Sequence, residues 1–323
     1  MCTAIAFRGE NNYFGRNLDL EYRYREEVTV TPRRFRLYHR NTLPLNNHYA
    51  IIGIATIEKG YPLYYDGTNE MGLSMAGLNF EGNAWYGAVE ENAINVASFE
   101  LISWVLGRCK NVKDVVKALG NVNISNVAFS EKYPVSPLHW IIADSKECVT
   151  LEAVKDGMHI YHNRVGVLTN NPPFDYQMLN LSNYMNLTSA QGMNRMMPDV
   201  ELNRYSRGMG SIGLPGDVSS MSRFVRTVFN KYNSITPRSE EETVAQFFHI
   251  LGSVEQIEGC VKTKLGNERT QYTSCCNTDK GIYYYKTYGN SQINAVNMWH
   301  CDLDGCELAR YVVEDEERIN YRN

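Results

Sequence analysis

Cys2-Thr3-Ala4-Ile5-Ala6-Phe7 and Tyr13-Phe14-Gly15-Arg16-Asn17-Leu18, separated by the polar turn Gly9-Glu10-Asn11-Asn12, open the chain. Two short segments with period-two patterning around such a turn predict a β-hairpin, because successive side chains of a strand face opposite sides. Cys2 then opens the first strand. It stands directly behind Met1, which a methionine aminopeptidase removes when the next residue is small, so Cys2 is expected to become the mature N-terminus. One residue would then carry both a thiol and an α-amine whose ordinary pKa is about 8. A side-chain nucleophile paired with an N-terminal amine is one route to acyl transfer. Cys2 alone also permits a plain alternative, a small buried apolar residue.

Outward from this hairpin the strand pattern recurs. His139 to Ala143, Val149 to Val154 and Met158 to Tyr161 are divided by Asp144-Ser145-Lys146 and Asp156-Gly157, which predicts an antiparallel meander. Tyr272 to Asn277, Ile282 to Tyr288, Ile293 to Met298 and Glu307 to Val313 repeat it near the end. The run Tyr283-Tyr284-Tyr285 is read as strand packing. Between the strand groups lie amphipathic helices: Phe99, Ile102, Val105 and Leu106 ended by Gly107; Val112 to Leu119 capped by Asn111 and Gly120; a stripe of Phe224, Val225, Val228 and Phe229; and Val244 to Leu251 behind the Ser239/Glu242 capping spacing. Each has one apolar face, so these helices should cover sheets. The expected fold class is α+β: two antiparallel sheets packed together with helices outside, in a single domain over residues 1–323.

With 323 residues, 43% of them hydrophobic, the chain can bury a large core. A net charge of −4 offers no basic footprint, so no nucleic-acid partner is expected. No basic and apolar leader and no stretch of spanning length is present, so the reading is a cytoplasmic protein with no membrane partner. The eight cysteines are scattered, and disulfides are not expected in that setting. His300-Cys301-Asp302-Leu303-Asp304-Gly305-Cys306 offers at most three clustered ligands, too few for a structural zinc site, and Asp304-Gly305 is read as a hairpin turn. No metal is expected.

The opening Cys2-Thr3-Ala4-Ile5 with Phe14-Gly15-Arg16-Asn17-Leu18-Asp19 resembles that of the choloylglycine hydrolase family, within the N-terminal nucleophile hydrolases. Gly77-Leu78-Asn79-Phe80, Leu168-Thr169-Asn170-Asn171-Pro172, Gly213-Leu214-Pro215-Gly216-Asp217, Ser222-Arg223-Phe224 and Gln271-Tyr272-Thr273-Ser274-Cys275 are similar to that family's motifs, in the same order. The resemblance covers essentially the whole chain. It implies a four-layer αββα sandwich, hydrolysis of a non-peptide amide without a cofactor, and a homotetramer, for which the Gly208 to Asp217 loop is the expected contact. Asn79 stands where penicillin V acylases usually carry tyrosine, so the resemblance is stronger to the branch that cleaves glycine- or taurine-conjugated bile acids. Glu58-Lys59-Gly60 departs from the more apolar loop the family often has.

By this resemblance the catalytic residues are Cys2, Arg16, Asp19, Asn79, Asn170 and Arg223. Cys2 would attack the amide carbonyl and Arg16 would favour its thiolate. Asp19 would orient the α-amine. Asn79 and Asn170 would supply oxyanion donors, and Arg223 would support Cys2 or the oxyanion. Leu18, Tyr65, Phe129, Tyr133 and Leu138 are candidate walls of an apolar slot. Three rival readings are a papain-like Cys/His enzyme, which would need a non-terminal cysteine in a signature absent here, a non-catalytic binder of the same fold, and a penicillin V or acyl-homoserine lactone acylase.

Overall fold

The structure, a computed structural model, describes residues 1–323. Its strands, in chain order, are β1 Cys2–Arg8, β2 Asn12–Leu20, β3 Glu27–Thr31, β4 Ile51–Glu58, β5 Tyr61–Asn69, β6 Ser74–Asn79, β7 Ile94–Ala97, β8 Val122–Ser125, β9 Leu138–Ala143, β10 Cys148–Val154, β11 Gly157–His162, β12 Val167–Leu168, β13 Val261–Lys262, β14 Asn267–Asn277, β15 Ile282–Thr287, β16 Asn290–Asn297 and β17 Ala309–Val312. The helices are α1 Leu101–Arg108, α2 Val112–Leu119, α3 Phe174–Leu181, α4 Ser220–Asn233 and α5 Glu240–Gly252.

One antiparallel sheet runs β12-β1-β2-β14-β15-β16, and a second runs β11-β10-β9-β6-β5-β4-β3-β17. Their inner faces share one core, in which Ala4, Phe14 and Tyr272 meet Val28, Ile52, Leu78 and Ile141. Helices α4 and α5 lie on β1, β12 and β14, while α1 covers β4, β5 and β6. The molecule is therefore the expected αββα sandwich. Side chains on the outer face of the second sheet form a separate core with α1 and α2, including Ile51, Met75, Trp104, Val115 and Trp140. Two aliphatic cores, one on each side of a sheet, explain why its central strands read as nearly continuous apolar runs instead of alternating ones.

The predicted opening hairpin forms, with Cys2 opposite Leu18 and Ala4 opposite Arg16. Strand β2 then pairs with β14 near the other end of the chain. Gly15 makes that contact possible, because a Cβ there would lie 2.0 Å from the Ser274 carbonyl oxygen. Asn111 and Ser239 cap α2 and α5, accepting from the backbone N–H groups of Asp114 and Glu242.

Two expectations need correction. Gly107 does not end α1, which continues to Arg108; a Cβ at 107 would press within 3.0 Å of Leu45, so the glycine serves packing of the 37–48 loop. Asp304-Gly305 does not join two paired strands: β16 ends at Asn297, a 3-10 turn follows at Met298–His300, and β17 crosses to pair with β3 of the other sheet. The segments forming β3, β4 and β5 were not anticipated; in β4, burial on both faces removes the alternation.

Candidate active site

Cys2 is 3% exposed at the start of β1 and lines an apolar cavity of about 280 Å³. The same cavity is lined by Arg16, Asn79 and all five candidate wall residues, Leu18, Tyr65, Phe129, Tyr133 and Leu138. A larger and more polar cleft of about 660 Å³ opens at the other end of β1, around Arg8 and Lys231. The smaller cavity is the candidate substrate site, since it joins an apolar lining to the one cysteine with catalytic surroundings.

Beneath Cys2 the backbone is held by side chains. Its N–H donates to Asn170 Oδ1 at 2.7 Å. Its carbonyl accepts from Arg223 Nη1 at 2.6 Å, and the same nitrogen donates to Thr3 Oγ1. Arg223 Nη2 donates to Asn170 Oδ1 at 2.7 Å, so one amide oxygen binds both the Cys2 nitrogen and the guanidinium. Arg223 stands in the first turn of α4, whose N-cap Ser219 accepts from Ser222 N–H. Burial lowers its pKa despite the nearby Asp19, Cys2 and Glu268.

Arg16, on β2, is fully buried and donates to the carbonyls of Tyr65, Gly77 and Asn17. Its Nη2 has no protein partner. Burial works against the charge, but Cys2, Tyr272, Asp66 and Asp19 outweigh it and leave the pKa raised. Asp66 supplies compensating charge from the facing sheet. It is buried and accepts from Tyr272 and Tyr283 hydroxyls at 2.6 Å and from Ser274 at 3.2 Å.

Asp19 is also fully buried. Its Oδ1 accepts from Thr270 at 2.6 Å, while Oδ2 has no hydrogen-bond partner. Burial raises its pKa, opposed by the N-terminal ammonium, Arg223, Thr270 and Arg16. With Met1 attached, that ammonium ion-pairs with Glu268 at 2.7 Å and donates to the Asp19 carbonyl at 2.9 Å. The Cys2 nitrogen is then an amide and has no free base to offer.

Asn79 sits at the end of β6 with its side chain exposed and unbonded within the protein, and its carbonyl accepts from Asn170 Nδ2 at 2.8 Å. The Asn170 backbone N–H donates to Ser220 Oγ at 2.8 Å and is not free. One Nδ2 hydrogen of Asn170 and the Asn79 amide group therefore remain for a ligand. Neighbouring Asn171 turns away, donating to the Glu81 carbonyl. The structure thus gathers Cys2, Arg16, Asp19, Asn79, Asn170 and Arg223 at one place. His300, Cys301 and Cys306 form no three-ligand group.

Sequence reasoning missed Thr3, Ser220, Thr270, Asp66, Gln177, His139 and Glu152, which support this centre. Gln177 is buried and donates toward the carbonyls of Asn170 and Asn171. Tyr272 and Tyr283 lay inside quoted segments, but their hydroxyl partner is distant in sequence. A buried histidine and glutamate within a predicted strand pair, His139 and Glu152, were the available signal.

Comparison with known proteins agrees with the geometry. Residues 2–311 match the model of the linear amide C–N hydrolases, choloylglycine hydrolase family. The chain is similar to the bile salt hydrolase/transferase of Lactiplantibacillus plantarum, 53% identical over 98% of each chain. It also resembles the bile salt hydrolase/transferase of Clostridium perfringens, 37% identical over 100% of both. Among solved structures, the mutant C2A conjugated bile acid hydrolase from Clostridium perfringens superposes with a TM-score of 0.92 at 37% identity over 100% of both chains. Penicillin V acylase from Agrobacterium tumefaciens shares the fold, with a TM-score of 0.77 at 18% identity, over 96% of this chain and 90% of its own.

Proposed function

This chain belongs to the choloylglycine hydrolase family of linear amide C–N hydrolases, and from that premise we propose that it cleaves the amide of glycine- or taurine-conjugated bile acids, with Cys2 as nucleophile. The observation that carries this reading is the position of Cys2. Its nitrogen lies 2.7 Å from Asn170 Oδ1, and its side chain lines an apolar slot shared with Arg16 and Asn79. Relatives spanning nearly the whole chain are named for bile salt hydrolysis.

Removal of Met1 turns the Cys2 nitrogen into a free amine, held by Asn170 Oδ1. The amine takes the thiol proton, and the sulfur attacks the amide carbonyl. Negative charge developing on the carbonyl oxygen is met by the amide groups of Asn79 and Asn170. Arg16, buried against Cys2, favours the thiolate. Collapse breaks the C–N bond as the ammonium protonates the departing glycine or taurine nitrogen. The S–C bond remains as a thioester, which water hydrolyses with the amine again as base. No step requires a metal or organic cofactor. An amine in place of water would give acyl transfer, the second activity in the names of the two bile salt relatives.

The test is release of glycine and taurine from conjugated bile salts beside penicillin V, with Cys2→Ala as control. Bile salt turnover that is lost in the mutant, by on the order of 10⁴-fold or more, is expected. Turnover of penicillin V alone would move the assignment to the acylase branch. No turnover by protein with a verified Cys2 N-terminus would favour a non-catalytic binder. Intact mass showing Met1 retained in an active sample would overturn the role of the amine.

We also propose a cytoplasmic homotetramer. No helix is long and apolar enough to cross a membrane, and the 208–217 loop leaves Ile212 63% exposed, as a subunit contact would require. Light scattering in solution would test the subunit number.

A further inference from the structure

Between the two asparagine motifs lies a buried pair that the mechanism above leaves unused. His139 on β9 and Glu152 on β10 are 0% and 1% exposed, with Nδ1 of the histidine 2.9 Å from Oε1 of the glutamate. On its other side, His139 Nε2 lies 2.9 Å from the carbonyl oxygen of Thr169, the residue before Asn170. A carbonyl oxygen only accepts, so Nε2 carries a proton, and one further proton lies between Nδ1 and Oε1. Glu152 also accepts from the N–H of Phe174 at the start of α3. The first turn of a helix favours negative charge there.

The imidazole reaches the other motif as well. Its ring stacks on Phe80 with centroids 4.2 Å apart and planes at 7°, and Phe80 follows Asn79 directly. His139 sits opposite Leu78 in the sheet register. One ring therefore braces Asn79 through Phe80 and Asn170 through the Thr169 carbonyl. Burying a pair of titratable groups is a poor way to gain stability when apolar side chains of similar volume would serve. Such a pair earns a functional explanation when both its contacts end one residue away from the groups that receive the developing charge.

We propose that His139 and Glu152 are positioning residues, which hold the Asn79 and Asn170 amides in register for the oxyanion by donating from His139 Nε2 to the Thr169 carbonyl and stacking on Phe80. This rests on the reading of Asn79 and Asn170 as oxyanion donors. Displacement of such donors by even 1 Å is worth roughly 100-fold in rate.

The decisive comparison is His139→Gln against His139→Met, two side chains of similar length of which only the first can donate to Thr169. The glutamine variant should keep kcat within about threefold of wild type, while the methionine variant loses about 10- to 100-fold in kcat with KM little changed. In an Asn170→Ala background the methionine change should cost less than about threefold, because it acts through a group already removed. Alkylation of Cys2, followed by peptide mass spectrometry, supplies a readout independent of substrate. Its rate should change in the methionine variant and not in the glutamine one, since Asn170 also holds the Cys2 nitrogen. That readout separates failure of this proposal from failure of the bile salt assignment. Equal kcat and alkylation in the glutamine and methionine variants, or a full multiplicative loss in the Asn170→Ala background, would overturn it. Glu152→Leu removes the acceptor of His139 Nδ1 and of the Phe174 N–H and serves if the methionine variant does not fold; wild-type kcat and alkylation there would also count against the pair.

Discussion

The floor and the wall of the candidate site are built in opposite ways. The floor is buried and polar, carried by β2, the start of α4 and the segment after β12: Arg16, Asp19 and Arg223 are fully buried, and Asn170 is 5% exposed. Each is held through bonds of 2.6 to 3.1 Å to residues far away in sequence. The wall joins strand residues Leu18, Tyr65 and Leu138 to the irregular 126–137 segment between β8 and β9. There Phe129 and Tyr133 are half-buried, and Phe129 packs edge-on against Phe99 at 5.3 Å and Tyr133 at 6.1 Å. Rigid elements fix reacting groups, whereas loops vary what is bound. The contrast predicts that floor mutations act on kcat or stability and wall mutations on KM.

The sharpest attempt to break that division is Asn170→Ala. It removes the acceptor shared by Cys2 N–H and Arg223 together with the Nδ2 donor. Loss of one oxyanion donor costs about 100- to 1,000-fold in kcat, and KM should stay within about threefold. A loss confined to KM would dissolve the distinction. Steady-state kinetics on a conjugated bile salt decides it.

Tyr283→Phe probes the floor one layer deeper. It removes one hydroxyl donor to the buried Asp66 carboxylate, at a cost of about 1–3 kcal/mol for a charged acceptor left short of a partner. A lower melting temperature with near-normal KM is expected. An unchanged melting temperature would mean that this web contributes nothing to the hold on Arg16.

How much of this was legible follows from range. The hairpin and the N-caps of α2 and α5 are local patterns, and the structure forms them where they were read. The web around Asp66 joins residues more than 200 positions apart, and no periodicity reports such a meeting. Strand β4 was hidden because core on both faces erases alternation. His139 and Glu152 were visible as polar residues in apolar strands, yet only cross-strand packing shows that both face the same buried point. The wall residues were legible from motif position alone, since an aromatic on a loop is as often ordinary packing.

On the wall, Phe129→Ala should raise KM by up to about tenfold and leave kcat nearly unchanged. The half-buried ring removes apolar area worth roughly 1–1.5 kcal/mol from substrate contact. Penicillin V and a bile salt should be compared in the same variant, because a wall that sets preference shifts their ratio. A fall in kcat equal to the rise in KM would make Phe129 part of the floor.

The smallest expected effect tests how the floor is tied to the helix that carries Arg223. Asp217 accepts from the Ser219 N–H at 2.9 Å and from the Ser222 hydroxyl at 2.5 Å, just before α4. Hydrogen bonds from Ser219 and then Ser222 lower its pKa to about 2. An unfolded aspartate titrates near about 3.9. A depressed folded value stabilises the native state above the unfolded pKa, and that contribution is lost as pH falls from about 4 to about 2. Asp217 is exposed, so solvent screens the gain and the effect is small. Wild type should melt slightly above Asp217→Asn at pH 6, with the gap closing as the pH is taken from 4 toward 3. A gap that does not depend on pH across that window would place the hold on α4 in the Ser219 cap alone, and would leave Arg223 fixed by the floor instead of by its helix.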